Sequence, residues 1–228
     1  MAERIKELAA LLDHLTPKVF FHVGPYGITS TVVYTWVAMA IMLTIVFLAT
    51  RRLDERPGRM QNLVEALVEF IQGLVEQDLG KDGRRYVPLV GTLFLFILFM
   101  NLLWFIPGLV PPTTDLSTTA ALGVTTIAII HGTAIRRQPR QYFGHYFKPY
   151  VLMLPLNIME ELVKPFSLSV RLFGNIFGGK AVVTTLAILM PLLLPVPVML
   201  LEVLLGSIQA YVFAMLTAAY LGMMFRHH

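Results

Sequence analysis

The chain has 228 residues, of which 56% are apolar and only 14% charged, with a formal net charge of +4 and a mean hydropathy of +0.69. A soluble domain carries about 25% charged residues, whereas several windows here lack any charge over about 20 residues, the length that crosses a bilayer core. The composition is that of a polytopic membrane protein, and the lack of cysteine excludes disulfides and thiolate metal sites.

In chain order, Ile5, Leu8, Leu11 and Leu12 recur at helical spacing and predict a short amphipathic helix over residues 2–12. No signal-peptide apolar core stands there, so the first apolar segment is expected to be a retained helix. Pro17, Gly24, Pro25 and Gly27 predict a loop. Ser30–Thr50 is the first span, followed at once by Arg51, Arg52, Arg56 and Arg59. Residues 60–79 place Leu63, Leu67, Phe70, Ile71, Leu74 and Val75 on one helical face and Glu65, Glu69, Gln72 and Glu76 on others. This helix is too polar to span; it lies on the membrane surface or packs on the protein.

Residues 87–106 form the second span, broken by Pro107-Gly108 and Pro111-Pro112. Asp115 reads as the cap of the third span, 116–135, which ends at Arg136-Arg137-Gln138-Pro139-Arg140. Residues 150–190 are a fourth, unusually long apolar region, 191–197 a Pro-rich turn, and 198–225 the last span. As one helix the fourth region is about 60 Å long, against a hydrocarbon core of about 30 Å. It must tilt steeply, kink at Pro155 and Pro165, or begin inside the cytoplasm.

The expected fold is thus all-α, with five spanning helices, one amphipathic interfacial helix, and a tilted hairpin made by the last two spans. The divisions are an external segment (1–29), the first span (30–50), and a cytoplasmic-side helix and loop (51–85). Two spans (86–140) and the hairpin carrying the ion path (141–228) follow. If spans alternate, twelve Lys and Arg residues fall on one side and three, Arg4, Lys6 and Lys18, on the other. The positive-inside rule then puts the N-terminus outside and the C-terminus in the cytoplasm.

The hairpin carries the chemistry. Arg171 has eight uncharged residues after it and six before it. A charge at the centre of a span costs roughly 2.5–3.5 kcal/mol on translocon scales, so a fixed cation there points to an ion pathway, with snorkelling to an interface as the plain alternative. Lys164, Arg171 and Asn175 share one helical stripe, and Glu202, Gln209, Phe213 and Tyr220 share another. Glu160 and Glu161 stand within ion-pairing reach of Lys164. Lys180 and Glu202 fall at similar depth on either side of the turn. The result is polar groups in the outer half, a cation in the middle and carboxylates in the inner half; interhelical hydrogen bonding alone is the competing account.

Outside the hairpin, His131 suits packing or an interface better than a proton relay. Asn101 is expected to hydrogen-bond between helices. Gly174, Gly178 and Gly179 read as close-packing positions. No nucleotide loop, nucleophile elbow, zinc signature or dinucleotide fingerprint occurs, so no cofactor or metal is expected.

The run Glu160-Glu161-Leu162-Val163-Lys164-Pro165-Phe166-Ser167-Leu168-Ser169-Val170-Arg171-Leu172-Phe173-Gly174-Asn175-Ile176-Phe177-Gly178-Gly179 closely resembles subunit a of F-type rotary ATP synthases. Ser207-Ile208-Gln209-Ala210-Tyr211-Val212-Phe213-Ala214-Met215-Leu216-Thr217 looks like that family's last-helix signature. Met100-Asn101-Leu102 and the turn over 111–115 also match. The resemblance implies a non-catalytic stator subunit of the membrane sector, in a bacterial-type inner membrane. Its implied partners are a c-subunit ring, peripheral-stalk b subunits, the rest of the synthase and membrane lipid, with no nucleic acid. It further implies Arg171 as the essential arginine, Asn175 and Gln209 as its polar neighbours, and Glu202 in the outer of two offset proton half-channels. Glu160 and Glu161 are the inner-side candidates, since position 157 is Asn157. Lys180 departs from the pattern, because the family usually carries Glu or His there. A lysine facing Glu202 is expected either to form a partly hydrated ion pair or to snorkel outward. The reading from another class is a secondary transporter or ion channel, which calls for internal duplication or broken half-helices.

Overall fold

Uniformly apolar segments with no polar face build the spanning helices, because a bilayer satisfies backbone groups only when each helix bonds internally. The computed structural model describes residues 19–23, 26–51, 58–106, 109–137, 139, 154–189 and 195–226. Its six long helices are α1 (Ser30–Thr50), α2 (Arg59–Leu79), α3 (Val87–Leu102), α4 (Leu116–Arg137), α5 (Leu154–Leu189) and α6 (Pro195–Arg226). The protein is an all-α polytopic membrane protein. The amphipathic helix expected over residues 2–12 and residues 191–194 of the Pro-rich turn lie outside the described residues, while 195–197, expected in that turn, already belong to α6.

Among the described residues four segments are long and apolar enough to cross a membrane: Ser30–Thr50, Gly83–Leu102, Leu116–Arg136 and Pro195–Met223. α5 is not among them, although it is the longest helix at 36 residues. Lys164, Arg171, Asn175 and Lys180, with five glycine and serine residues between Ser167 and Gly179, dilute its apolar content. It runs unbroken through Pro165. At about 1.5 Å per residue it reaches about 54 Å, well beyond a hydrocarbon core of about 30 Å.

Two expectations change. The segment read as a loop at 17–27 contains an antiparallel hairpin, β1 (Val19–Val23) and β2 (Tyr26–Thr29), in which Val23 pairs with Tyr26 and His22 with Gly27. Aromatic and β-branched residues flank the Gly24-Pro25 pair, and a two-residue connection favours hairpin pairing. The second span also ends early, with α3 stopping at Leu102 and a 3-10 turn following over Leu103–Phe105.

The core forms where α3, α4, α5 and α6 meet, with Ile97, Met100, Ile130, Leu168, Leu172, Phe213 and Leu221 fully buried. α2 packs on α6 as the amphipathic pattern requires, burying Ile71, Leu74 and Val75. Phe70 lies 5.8 Å from the Tyr211 ring, and Gly222 lets the Asp78 carbonyl approach α6. The two helices therefore run in the same direction. α2 ends at Gly80, whose φ of 68° suits glycine, and whose N–H donates to the Glu76 carbonyl.

Candidate ion-translocation site

α5 and α6 form the expected antiparallel hairpin, and three contacts set its register. Lys164 Nζ sits 5.4 Å from the centroid of the Tyr220 ring. Asn175 Nδ2 donates to Gln209 Oε1 at 2.8 Å. A Cβ added at Gly179 would fall on the Glu202 carboxylate. The stripe of Glu202, Gln209 and Phe213 is buried against α5, as its spacing predicts.

Arg171 lies in this register about one helical turn from the Asn175–Gln209 pair, toward Lys164. Leu172 beside it is fully buried. Arg171 itself is exposed and has no hydrogen bond or ion pair among the described residues. Exposed Val170, Phe177 and Phe166 lie farther around the same helix, about 100–140° from it. Gly174 and Gly178 open onto the Arg171 side, with nothing within 4 Å of an added Cβ. Among the described residues only Gly179 of the three glycines is closely approached, by Glu202. The face bearing Arg171 thus carries Gly174, Gly178 and Asn175 and is uncovered among the described residues.

Toward the Pro-rich turn, Glu202 is 9% exposed and borders a small cavity lined by Asn101, Trp104, Ile176 and Val203. Asn101 Nδ2 donates to the Gly206 carbonyl at 2.9 Å, and Thr113 Oγ1 donates to Asn101 Oδ1 at 2.8 Å. One buried amide thus ties α3, the turn at Pro112–Thr114 and α6 around the cavity, the interhelical role its position predicts. Trp104 contributes an enclosed indole N–H, which the sequence reading passed over. Asp115 caps α4 as expected, accepting from the Ser117 N–H at 2.9 Å.

Lys180 and Glu202 lie close along the hairpin but form no ion pair. Gly179, one residue earlier, faces Glu202, and the Lys180 ammonium is enclosed without a hydrogen-bond partner among the described residues. One residue is about 100° around a helix, which turns Lys180 off the Glu202 line. Enclosure of the ammonium also sets aside snorkelling within the described chain.

At the opposite end, Lys164 Nζ donates to Glu161 Oε1 at 2.7 Å and lies 3.4 Å from Glu160 Oε1. These are the pairs that the i+3 and i+4 spacings predict. His131 joins them from α4, with Nε2 3.2 Å from Glu161 Oε2. From sequence His131 suits packing or an interface; its partner lies thirty residues away on another helix, and no local spacing signals it. Gly123 and Ser169 explain the close approach of α4 to α5: Ser169 Oγ turns back to the Pro165 carbonyl at 2.7 Å, and a Cβ at Gly123 would strike it. Among the described residues no group of three metal-ligating side chains is present.

A profile of the family described as ATP synthase A chain matches residues 32–222. "ATP synthase subunit a" of Moorella thermoacetica is 54% identical over 212 residues, covering 92% of this chain and 97% of the relative. "ATP synthase subunit a 2" of Bradyrhizobium sp. is 40% identical over 209 residues, covering 91% and 94%. "ATP synthase subunit a 1" of Syntrophotalea carbinolica is 39% identical over 217 residues, covering 93% of each. With an uncovered arginine on a long helical hairpin and a family match that takes in nearly every described span, the chain belongs to the ATP synthase A chain family, as a non-catalytic membrane-sector subunit of the proton-translocating complex.

Proposed function

We propose that this chain is the stator against which a ring of c subunits turns, with two offset half-channels meeting that ring on either side of Arg171. The observation that carries the reading is Arg171, exposed and without a partner among the described residues, on a face opened by Gly174 and Gly178. A partner helix bearing a carboxylate fits that face. The outer half-channel runs past Glu202 toward Asn175 and Gln209, and the inner one past Glu160 and Glu161. The hairpin over 141–228 is the ion-path unit, and α5 serves as a fifth span despite its polar residues.

A ring carboxylate about 4 Å from Arg171 is attracted by about 4 kcal/mol at an effective dielectric near 20. That favours its ionised form by roughly a thousandfold. The arriving acid therefore releases its proton to the inner side during synthesis, and the carboxylate passes on to be reprotonated from the outer side. Arginine suits the role because it stays charged where a buried lysine discharges. The same fixed cation separates the two half-channels and blocks a direct leak. A membrane potential supplies about 2.3 kcal/mol per charge per 100 mV.

In this reading the chain sits in a bacterial-type inner membrane with its N-terminus outside and C-terminus in the cytoplasm, held by peripheral-stalk b subunits. The absence of cysteine makes a direct test practical. Single cysteines at Val170 or Phe177 should cross-link in the intact complex to a cysteine beside the c-subunit carboxylate, and one at Ile130, buried between helices, should not. Equal yields at the three positions, or none at Val170 and Phe177, would sink the assignment of this face to the ring.

A further inference from the structure

Among the titratable groups that the translocation scheme does not use is His131, largely enclosed between two helices. His131 on α4 bonds Glu161 on α5, Glu161 bonds Lys164, and Lys164 reaches Glu160. The His131, Glu161 and Lys164 side chains are 20%, 12% and 13% exposed, whereas Glu160 is 64% exposed. The four groups thus form a continuous polar chain from the α4–α5 seam to the open surface. From α6 the cluster meets the Tyr220 ring beneath Lys164, and on α4 the exposed Arg136 stands five residues beyond His131.

Charge counting separates this cluster from a plain structural clamp. Two ionised carboxylates face one lysine, leaving the group one positive charge short of balance. Lys164 already holds Glu161, and the Gly123–Ser169 contact already joins the helices. Histidine is the side chain that takes up and loses a charge in the physiological range. Protonation of His131 supplies the missing charge next to Glu161, and its loss restores a net negative cluster.

We propose that His131 is a proton-exchanging residue of the inner half-channel. A proton released from the ring adds to the neutral imidazole, Glu161 holds the resulting imidazolium through its Nε2–H, and a proton then passes to cytoplasmic water, returning the ring to neutrality. Pumping driven by ATP runs the same steps backward. The proposal rests on the half-channel reading above.

The test is passive proton conduction through the membrane sector of the assembled complex, in vesicles stripped of the soluble catalytic head so that its own pH dependence does not enter. The pH on the cytoplasmic face is varied from about 5.5 to 8.5, bracketing the histidine range. Wild-type conduction should bend within that range. His131→Gln, which keeps a hydrogen-bond donor but cannot titrate, should flatten the bend. Glu161→Gln should displace it, and the double variant should behave as His131→Gln alone. If His131→Gln fails to assemble, His131→Arg supplies a fixed cation beside Glu161 and should also show no bend. A wild-type profile in either non-titrating variant overturns the proposal. So does a loss by the same factor at every pH, which marks a purely structural contact. ATP-driven pumping that survives Arg171→Ala would instead remove the half-channel reading itself, so the two failures are told apart.

Discussion

Gly179→Ala is the smallest change that should disturb the outer half of the site. The added methyl would occupy the space of the Glu202 carboxylate, so either Glu202 leaves its rotamer or α5 and α6 separate. An off-rotamer side chain costs about 0.5–1.5 kcal/mol, and overpacking a well-filled contact costs about 1–3 kcal/mol. The cheaper response is displacement of the carboxylate from its place beside Asn101 and Trp104. The variant should insert and assemble normally, as read by native-gel analysis of the complex, while ATP-driven acidification of inverted vesicles falls several-fold. A second change separates displacement from general damage. Glu202→Asp shortens the side chain by one methylene, about 1.5 Å, which makes room for the methyl, so Gly179→Ala with Glu202→Asp should pump better than Gly179→Ala alone. Wild-type pumping by Gly179→Ala, or no gain from the added Asp, would refute the reasoning.

Because Lys180 and Glu202 are not ion-paired, the swap Lys180→Glu with Glu202→Lys should pump no better than Glu202→Lys alone; restoration by the swap would show that the two groups meet in the working complex. Asn101→Ala and Thr113→Val should couple, since they share the 2.8 Å hydrogen bond; a double-mutant cycle on the thermal stability of the complex should give about 0.6 kcal/mol, the usual size for bonds within membranes, and strict additivity would count against the bond. For orientation, a single cysteine replacing His228 should react with an impermeant reagent only from the cytoplasmic side, and outside labelling would invert the assigned topology.

Most of this architecture is legible in one sequence because the bilayer leaves few choices. Charge-free runs place α1, α3, α4 and α6, and the Pro-rich segment between Leu189 and Val198 sets the antiparallel hairpin. Spacing alone also finds the Glu161–Lys164 pair, the Asp115 cap and the buried stripe from Glu202 to Phe213. What escapes is set by rotation and by distance along the chain. Depth puts Lys180 beside Glu202, but the helical turn between adjacent residues gives that contact to Gly179. Three glycines in one segment look alike until packing shows that Gly179 is covered and Gly174 and Gly178 are open. His131 meets Glu161 only because Gly123 brings α4 against α5, and the β1–β2 hairpin was hidden behind the glycine and proline that connect it.

The central claim is that Arg171 couples the two half-channels, and ATP-driven proton pumping by the assembled complex tests it most directly. Arg171→Ala should insert, assemble and hydrolyse ATP in the soluble head, yet establish no proton gradient. Arg171→Lys should fail as well, because a lysine in that setting discharges. A normal gradient from Arg171→Ala would contradict the account.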